Sequence, residues 1–449
     1  MNQTVGISGG FWVPENPAKV VRGRFVAEAG KDAEVALDAG LVEDPRVKLF
    51  DGGAALSSSV EDSVKAFLPV VIHGQLDDGQ VVTLLDARNH GGHWPFAPPR
   101  YEAHAALIGT HVAGEDQLFS AVRFRIGHPY WLSHLSDGQA ATVDDDGSTL
   151  SVVADEDGTW LSYASATPAT LRQLDIRVVH SCVVLVELAL HREVAASEVQ
   201  LRVVGDDAWY SLHGESFAAA THRIHPRTLL PPEVLTVELF ARWVPLNDRL
   251  DGLAAAVAHK SEEPLQIEAL VASSLIEGLH RRLPYQQQRF PEAAKQSLRR
   301  IGKAARESAG SQAEAENLDR HSAMDAVMFL HDVSFRTRAA NIVAEVCAVI
   351  PEVTESVADL PRFLNDVRNE LAHHLLPKPD RDPLQVRVLR WIVASAVTRW
   401  LLRCLLLLRA GVDAELLRER IIDFQRFQFF RANTQLHVDE LVQLGSPRP

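Results

Sequence analysis

The chain has 449 residues, 46% of them hydrophobic, and a net charge of −14; it is too long for one ordinary domain and has the apolar content of soluble globular ones. Its three cysteines, Cys182, Cys347 and Cys404, lie far apart without metal-ligand spacing, which argues against a disulfide framework and fits a reducing cytoplasm. The acidic excess falls entirely in residues 1–225, while residues 226–449 balance to zero; a broad acidic surface repels phosphate, so the first half is a poor nucleic-acid binder and the second can still bind RNA through a local patch.

The opening MNQTVGISGG has no basic start and no apolar run, so no signal peptide is expected. Next come Gly10-Phe11-Trp12-Val13-Pro14 and the Gly-bearing run Val20-Val21-Arg22-Gly23-Arg24-Phe25, where Trp12 is expected to pack in the core. Runs rich in β-branched and aromatic residues recur at 20–29, 67–76, 81–87, 118–126, 148–164, 174–190 and 199–205. Asp77-Asp78-Gly79 and Asp157-Gly158 are turn signals between paired strands. This spacing predicts a sandwich or barrel-like β domain. His90-Gly91-Gly92-His93 and Asp144-Asp145-Asp146 lack zinc or calcium-loop spacing and are read as loops, so no metal and no cofactor is expected.

Beyond His225-Pro226-Arg227 the apolar spacing turns helical. In 265–283 one face carries Leu270, Ser274, Glu277 and Arg281, and another carries Leu265, Ala269, Ala272, Ile276 and Leu279; Pro284 ends the run. Further helices are expected at 291–307, 322–348, 358–375, 384–410 and 414–430, punctuated by Pro351, Pro377 and Pro379. Residues 281–306 hold Arg281, Arg282, Arg289, Lys295, Arg299, Arg300, Lys303 and Arg306 against the single acid Glu292. Such a run is either a solvated helix face or a patch that guides RNA. The greasiest stretch, 386–412, carries Arg390, Arg399, Arg403 and Arg409; that density points to a buried helix with a polar seam rather than a membrane span.

Within 358–375 the apolar positions Leu360, Phe363, Leu364 and Val367 lead into Arg368-Asn369-Glu370-Leu371-Ala372-His373-His374. Arg368, Asn369 and His373 supply a phosphate clamp, a polar positioner and a proton shuttle. On a helix Asn369 and His373 differ by about 40° and share a face, whereas Arg368 and His373 differ by about 140°, so the long Arg side chain must curl round or the helix must bend. RNA brings its own nucleophile, the 2′-OH, so such a set needs no metal.

This stretch resembles the signature of the HEPN superfamily, in which an Arg, a polar residue and a His form an RNase site. Glu277-Gly278-Leu279-His280-Arg281 is similar to a Glu-x-Leu-His-Arg of ApeA-type HEPN domains from bacterial anti-phage defence, where the acid lies near the Arg/His pair; an exposed helix end reads equally well. The Gly-Phe-Trp-x-Pro opening looks like the start of the ApeA N-terminal domain. The resemblance implies an α+β multidomain chain: a β-rich sandwich or barrel-like domain over 1–225 with a sensor or regulatory role, a helical connector over 226–260, and an all-α HEPN bundle over 261–449. It implies a cytoplasmic, metal-independent endoribonuclease acting as a homodimer or larger assembly, restrained by its N-terminal domain until a phage-derived trigger arrives. Arg368, Asn369, His373 and Glu277 would be catalytic, and Arg281, Arg282, Arg299 and Arg300 would bind RNA. The alternative is a non-catalytic HEPN protein that binds nucleotide, RNA or a partner.

Overall fold

The computed structural model describes residues 6–28, 30–57, 59–143, 146–156, 158–214, 227–259, 263–289, 296–304, 307, 332–373 and 382–445, without the side chains of Leu49 and His373. The chain divides into two compact units, 1–248 and 249–449. The division falls inside the stretch read as a connector.

Among the described residues the first unit has fourteen strands: β1 Ile7–Trp12, β2 Val21–Val26, β3 Ala33–Leu37, β4 Val47–Phe50, β5 Gly53–Leu56, β6 Val70–Leu76, β7 Val81–Gly91, β8 Arg100–Ile108, β9 Leu118–Ile126, β10 Ala140–Thr142, β11 Thr149–Asp155, β12 Gly158–Thr170, β13 Ala196–Val203 and β14 Tyr210–His213. Six of them close a barrel in the order β8-β3-β2-β1-β6-β7, with β7 pairing back onto β8. Closure removes the open edges that a flat sheet would expose. Alternation decides what fills it: in β2, Val21 and Phe25 are buried while Arg22 and Arg24 are exposed, and Arg22 makes two 2.8 Å hydrogen bonds to Asp77. Phe11, Phe25, Val35, Ile72 and Leu84 form the core. Gly74 is required for its size, since a Cβ there would lie 2.6 Å from the Phe11 ring. The Asp77-Asp78-Gly79 signal is the β6–β7 turn, where Gly79 takes φ +91° and donates its N–H to Leu76 O.

Three sequence expectations change in this unit. Phe11, not Trp12, points into the core; Trp12 is half-buried, edge-on to His73 and to His111, whose rings stack at 4.5 Å. Residues 174–190 are helical, not a strand. Helix α2 (Leu171–Leu174), capped by the Thr170–Gln173 box, runs through a π turn at Asp175–Val179 into α3 (His180–Leu190), with every residue from Ser181 to Leu190 buried. An apolar run buried on all sides has no telling period, and its length should have favoured a helix. His90 lies in β7 rather than in a loop, 3.0 Å from Glu102, and His93 sits 2.9 Å from Asp44 beside Arg46. Asp144 and Asp145 lie outside the described residues.

β8 is shared: its first half pairs with β3 and its last residues with β14. From β14 a second antiparallel wing continues as β13-β9-β12-β11-β10.

The remaining helices are α4 Val237–Leu250, α5 Leu253–Ala258, α6 Leu265–Arg282, α7 Phe335–Cys347, α8 Leu360–His373, α9 Leu384–Ala410, α10 Ala414–Asp423 and α11 Gln425–Gln443; α1 is the short Val60–Ala66. Residues 296–304 are helical, and 308–331 lie outside the described residues. The run expected over 414–430 is two helices broken at Phe424, whose ψ of +117° ends the first; the second continues to Gln443.

In the second unit α9 is the central helix, contacting α6, α7, α8 and α11. It alone among the described residues is long and apolar enough to cross a membrane, and 78% of that window is buried within the protein. Its arginines form the polar seam: Arg390 meets Glu370, Arg399 meets Glu268 at 2.8 Å, Arg403 donates to Ala258 O, and Arg409 meets Glu345 at 2.6 Å.

Candidate functional site

Helix α8 forms because its apolar residues recur at helical spacing. Leu360, Phe363, Leu364, Val367 and Leu371 are all buried, and Arg362 and Asp366 face water. Asp359 caps the start, accepting from Arg362 N at 3.1 Å. This phase leaves Arg368, Asn369 and Glu370 on the half-buried border of the helix. His373 is its last residue; the His373 side chain and all of His374 lie outside the described residues.

Arg368 is held by three loose contacts. Its guanidinium lies 3.9 Å from the Glu277 carboxylate of α6, donates to Asn369 Oδ1 at 3.4 Å, and sits 5.8 Å from the Phe335 ring centroid. The first distance exceeds a hydrogen bond, so among the described residues most of the N–H donors of Arg368 are left without a partner. Glu277 is more tightly bound to Arg281, one turn on in α6, at 2.9 Å. Partial burial pushes the Glu277 carboxyl upward, but Arg281, with Arg338 and Arg368 beyond it, outweighs burial and holds it below the usual carboxylate range. Glu277 and Arg368, far apart in the chain, are thus brought together.

Glu370 does a different job. It pairs with Arg387 at 3.1 Å and Arg390 at 3.5 Å, both from α9, and so ties the end of α8 to the central helix.

His280 is fully buried and stacks on Tyr285 at 4.6 Å. Arg338 Nη1 approaches its Nδ1 at 3.4 Å, and the Asn341 amide lies 3.1 Å from its Nε2. Both facing groups, the Arg338 guanidinium and the Asn341 Nδ2 amide, are donors, so a neutral ring accepts from one of them, and its tautomer decides which. Burial, then repulsion from Arg338, pushes the His280 pKa down to about 4. A buried, neutral imidazole is a structural group, not a shuttle for an entering substrate.

Of the cationic residues singled out in the sequence, Arg281 is engaged by Glu277 and Arg282 by Asp251 at 3.0 Å. Arg299 and Arg300 are exposed on 296–304, whereas Lys295 and Arg306 lie outside the described residues.

Sequence reasoning missed Phe335, Arg338 and Asn341 on α7. Arg338 is only 2% exposed and donates to Val333 O and Gln287 Oε1, both at 3.0 Å. The one available signal was the spacing of Arg338, Ala339 and Ile342 with Asn341, which puts polar groups on a face that must be buried. Tyr285, Glu345 and Arg409 form a further brace between the loop after α6, α7 and α9. Among the described residues no group of three His, Cys, Asp or Glu side chains could hold a metal ion.

Residues 270–416, which hold both Glu277 and the Arg-Asn-x-x-x-His helix, match the family profile described as Apea-like HEPN. Residues 6–156, holding the closed barrel, match the profile described as ApeA N-terminal domain 1. The chain therefore belongs to the ApeA-type HEPN proteins, a family of the HEPN defence-nuclease type. No curated protein and no solved structure matches it significantly.

Proposed function

We propose that the protein is a metal-independent endoribonuclease acting in bacterial anti-phage defence by abortive infection. The observation that carries this reading is the Arg368 guanidinium, positioned by Glu277 at 3.9 Å yet with donors to spare. His373 accepts the proton of a ribose 2′-OH, and the 2′ oxygen attacks the adjacent phosphorus. Arg368 stabilises the added negative charge of the pentacovalent phosphate, and Asn369 orients phosphate or imidazole. The P–O5′ bond then breaks, a proton returns to the 5′ oxygen, and the products are a 2′,3′-cyclic phosphate and a 5′-OH. Nucleophile and leaving group are both in the RNA, and a fixed guanidinium supplies the charge, so no step calls for a metal.

One imidazole per chain is enough if it shuttles the proton; a homodimer would place two at one cleft, and a homodimer is the assembly we infer. Arg281, Arg282, Arg299 and Arg300 guide the RNA backbone, with Arg299 and Arg300 the better placed by exposure. The acidic barrel unit restrains the nuclease until a phage-derived trigger binds it.

The test is purified protein with a labelled single-stranded RNA in excess EDTA. Cleavage that ends in a cyclic phosphate and is abolished by His373→Ala and by Arg368→Ala, both still folded, supports the reading. A protein that never cuts, or cuts equally well with both changes, belongs to the non-catalytic alternative.

A further inference from the structure

The three contacts of Arg368 differ in what they leave free. A carboxylate or an amide oxygen takes up N–H donors, and Glu277 and Asn369 must yield some when a phosphate arrives. An aromatic ring touches the face of a guanidinium and takes none of the five donors in its plane. The Arg368 guanidinium carbon stands over the Phe335 ring, 5.8 Å from its centroid, and the ring is half-buried. We propose that Phe335 is a positioning residue of the site: it holds Arg368 by its π face, so that the fork of N–H groups stays aimed and uncommitted. The inference rests on the nuclease reading above.

The ring can do this only if it is itself fixed, and the first turn of α7 is fixed at three points. Ser334 caps the helix, accepting from Thr337 N at 3.2 Å. Arg336 pairs at 2.8 Å with Asp359, the residue that also caps α8. The buried Arg338 clamps the strand of backbone just before the helix through Val333 O. The turn that carries Phe335 is thereby tied to the start of the helix that carries Arg368, and a ring held by secondary contacts restricts a long side chain better than solvent does.

The experiment compares Phe335→Trp, Phe335→Tyr and Phe335→Leu in the full chain, by steady-state cleavage of a mixed-sequence single-stranded RNA oligonucleotide. Trp and Tyr keep a π face; Leu keeps apolar volume without the face. If Phe335 positions Arg368, Phe335→Leu lowers kcat by about 3- to 30-fold with little change in KM, while Phe335→Trp and Phe335→Tyr stay near wild type. A merely space-filling residue gives the opposite order, because Leu fits a Phe site better than the larger Trp does; that order, or full activity in Phe335→Leu, overturns the proposal. If the wild-type chain cuts no RNA, the nuclease reading fails on its own. Phe335 is then judged on the Arg368 Nε–H resonance, assigned with Arg368→Lys. A resonance shifted by the ring in wild type and not in Phe335→Leu keeps the positioning contact, and an unshifted one removes it.

Discussion

The carboxylate of Glu277 on α6 and the guanidinium of Arg368 on α8 stand 3.9 Å apart, close enough to attract and too far to share a hydrogen bond. Glu277 spends its better geometry on Arg281. The pair is thus an orienting contact that an incoming phosphate can compete away, and its behaviour on mutation follows from that.

Replacing Glu277 with Gln should slow cleavage by roughly 2- to 5-fold, since a half-exposed pair of this kind contributes about 1 kcal/mol at most. The same change removes a negative charge beside the phosphate site, so RNA binding at low salt should tighten. Cleavage kinetics and filter binding measured side by side decide this; slower cleavage with weaker binding would count against an orienting role.

Arg368→Lys should be far from conservative. Lysine keeps the charge but lacks the planar fork of donors. A drop of at least about 100-fold in kcat is expected, comparable with removal of one charge-stabilising donor elsewhere. Single-turnover cleavage checks it, with a thermal melt to show that the fold survives.

Charge reversal at Arg299 and Arg300 should weaken RNA binding while leaving the chemical step intact. For every phosphate that the variant no longer neutralises, the salt dependence of log affinity should fall by about 0.7 on a single strand. A titration of binding against salt concentration gives the slope, and an unchanged slope removes these residues from the RNA path.

His280 makes stability depend on pH. Its pKa in the folded chain lies at about 4, against 6.5 for an ordinary imidazole. Between those values the unfolded chain takes up a proton that the folded chain refuses, so the contribution is complete above about pH 6.5 and is lost as pH falls toward 4, on the order of 3 kcal/mol in all. Burial also lowers His73 and His213, so the diagnostic is a difference. Denaturation of wild type and His280→Gln at pH 4.5 and 7.5 should show a smaller acid effect in the variant; equal effects contradict the buried neutral imidazole.

Much of α8 was legible in the chain itself. Leu360, Phe363, Leu364, Val367 and Leu371 repeat at the period of a helix, and that period alone predicts which side Arg368 and Asn369 occupy. Of the barrel strands β2, β6 and β7 were open to reading, because Val21 and Phe25 alternate with Arg22 and Arg24 and a Gly turn joins β6 to β7, whereas β1, β3 and β8 did not stand out as strand runs. The barrel's closure was not legible either: nothing local says that β7 returns to β8 or that β8 is divided between β3 and β14. The run 174–190 was misread for the same reason, since an all-apolar stretch takes its form from what surrounds it.

Local spacing determined α6, α8 and α9, the strands β2, β6 and β7, and the candidate Arg-Asn-x-x-x-His set, because those depend on contacts within a few residues. Only the folded chain decided that Glu277 faces Arg368, that Phe335 lies against that guanidinium, and that His280 is walled in by Arg338 and Asn341. Those meetings join segments from three helices, and burial, which separates a structural imidazole from a reactive one, is a property of the packed unit and not of any residue within it.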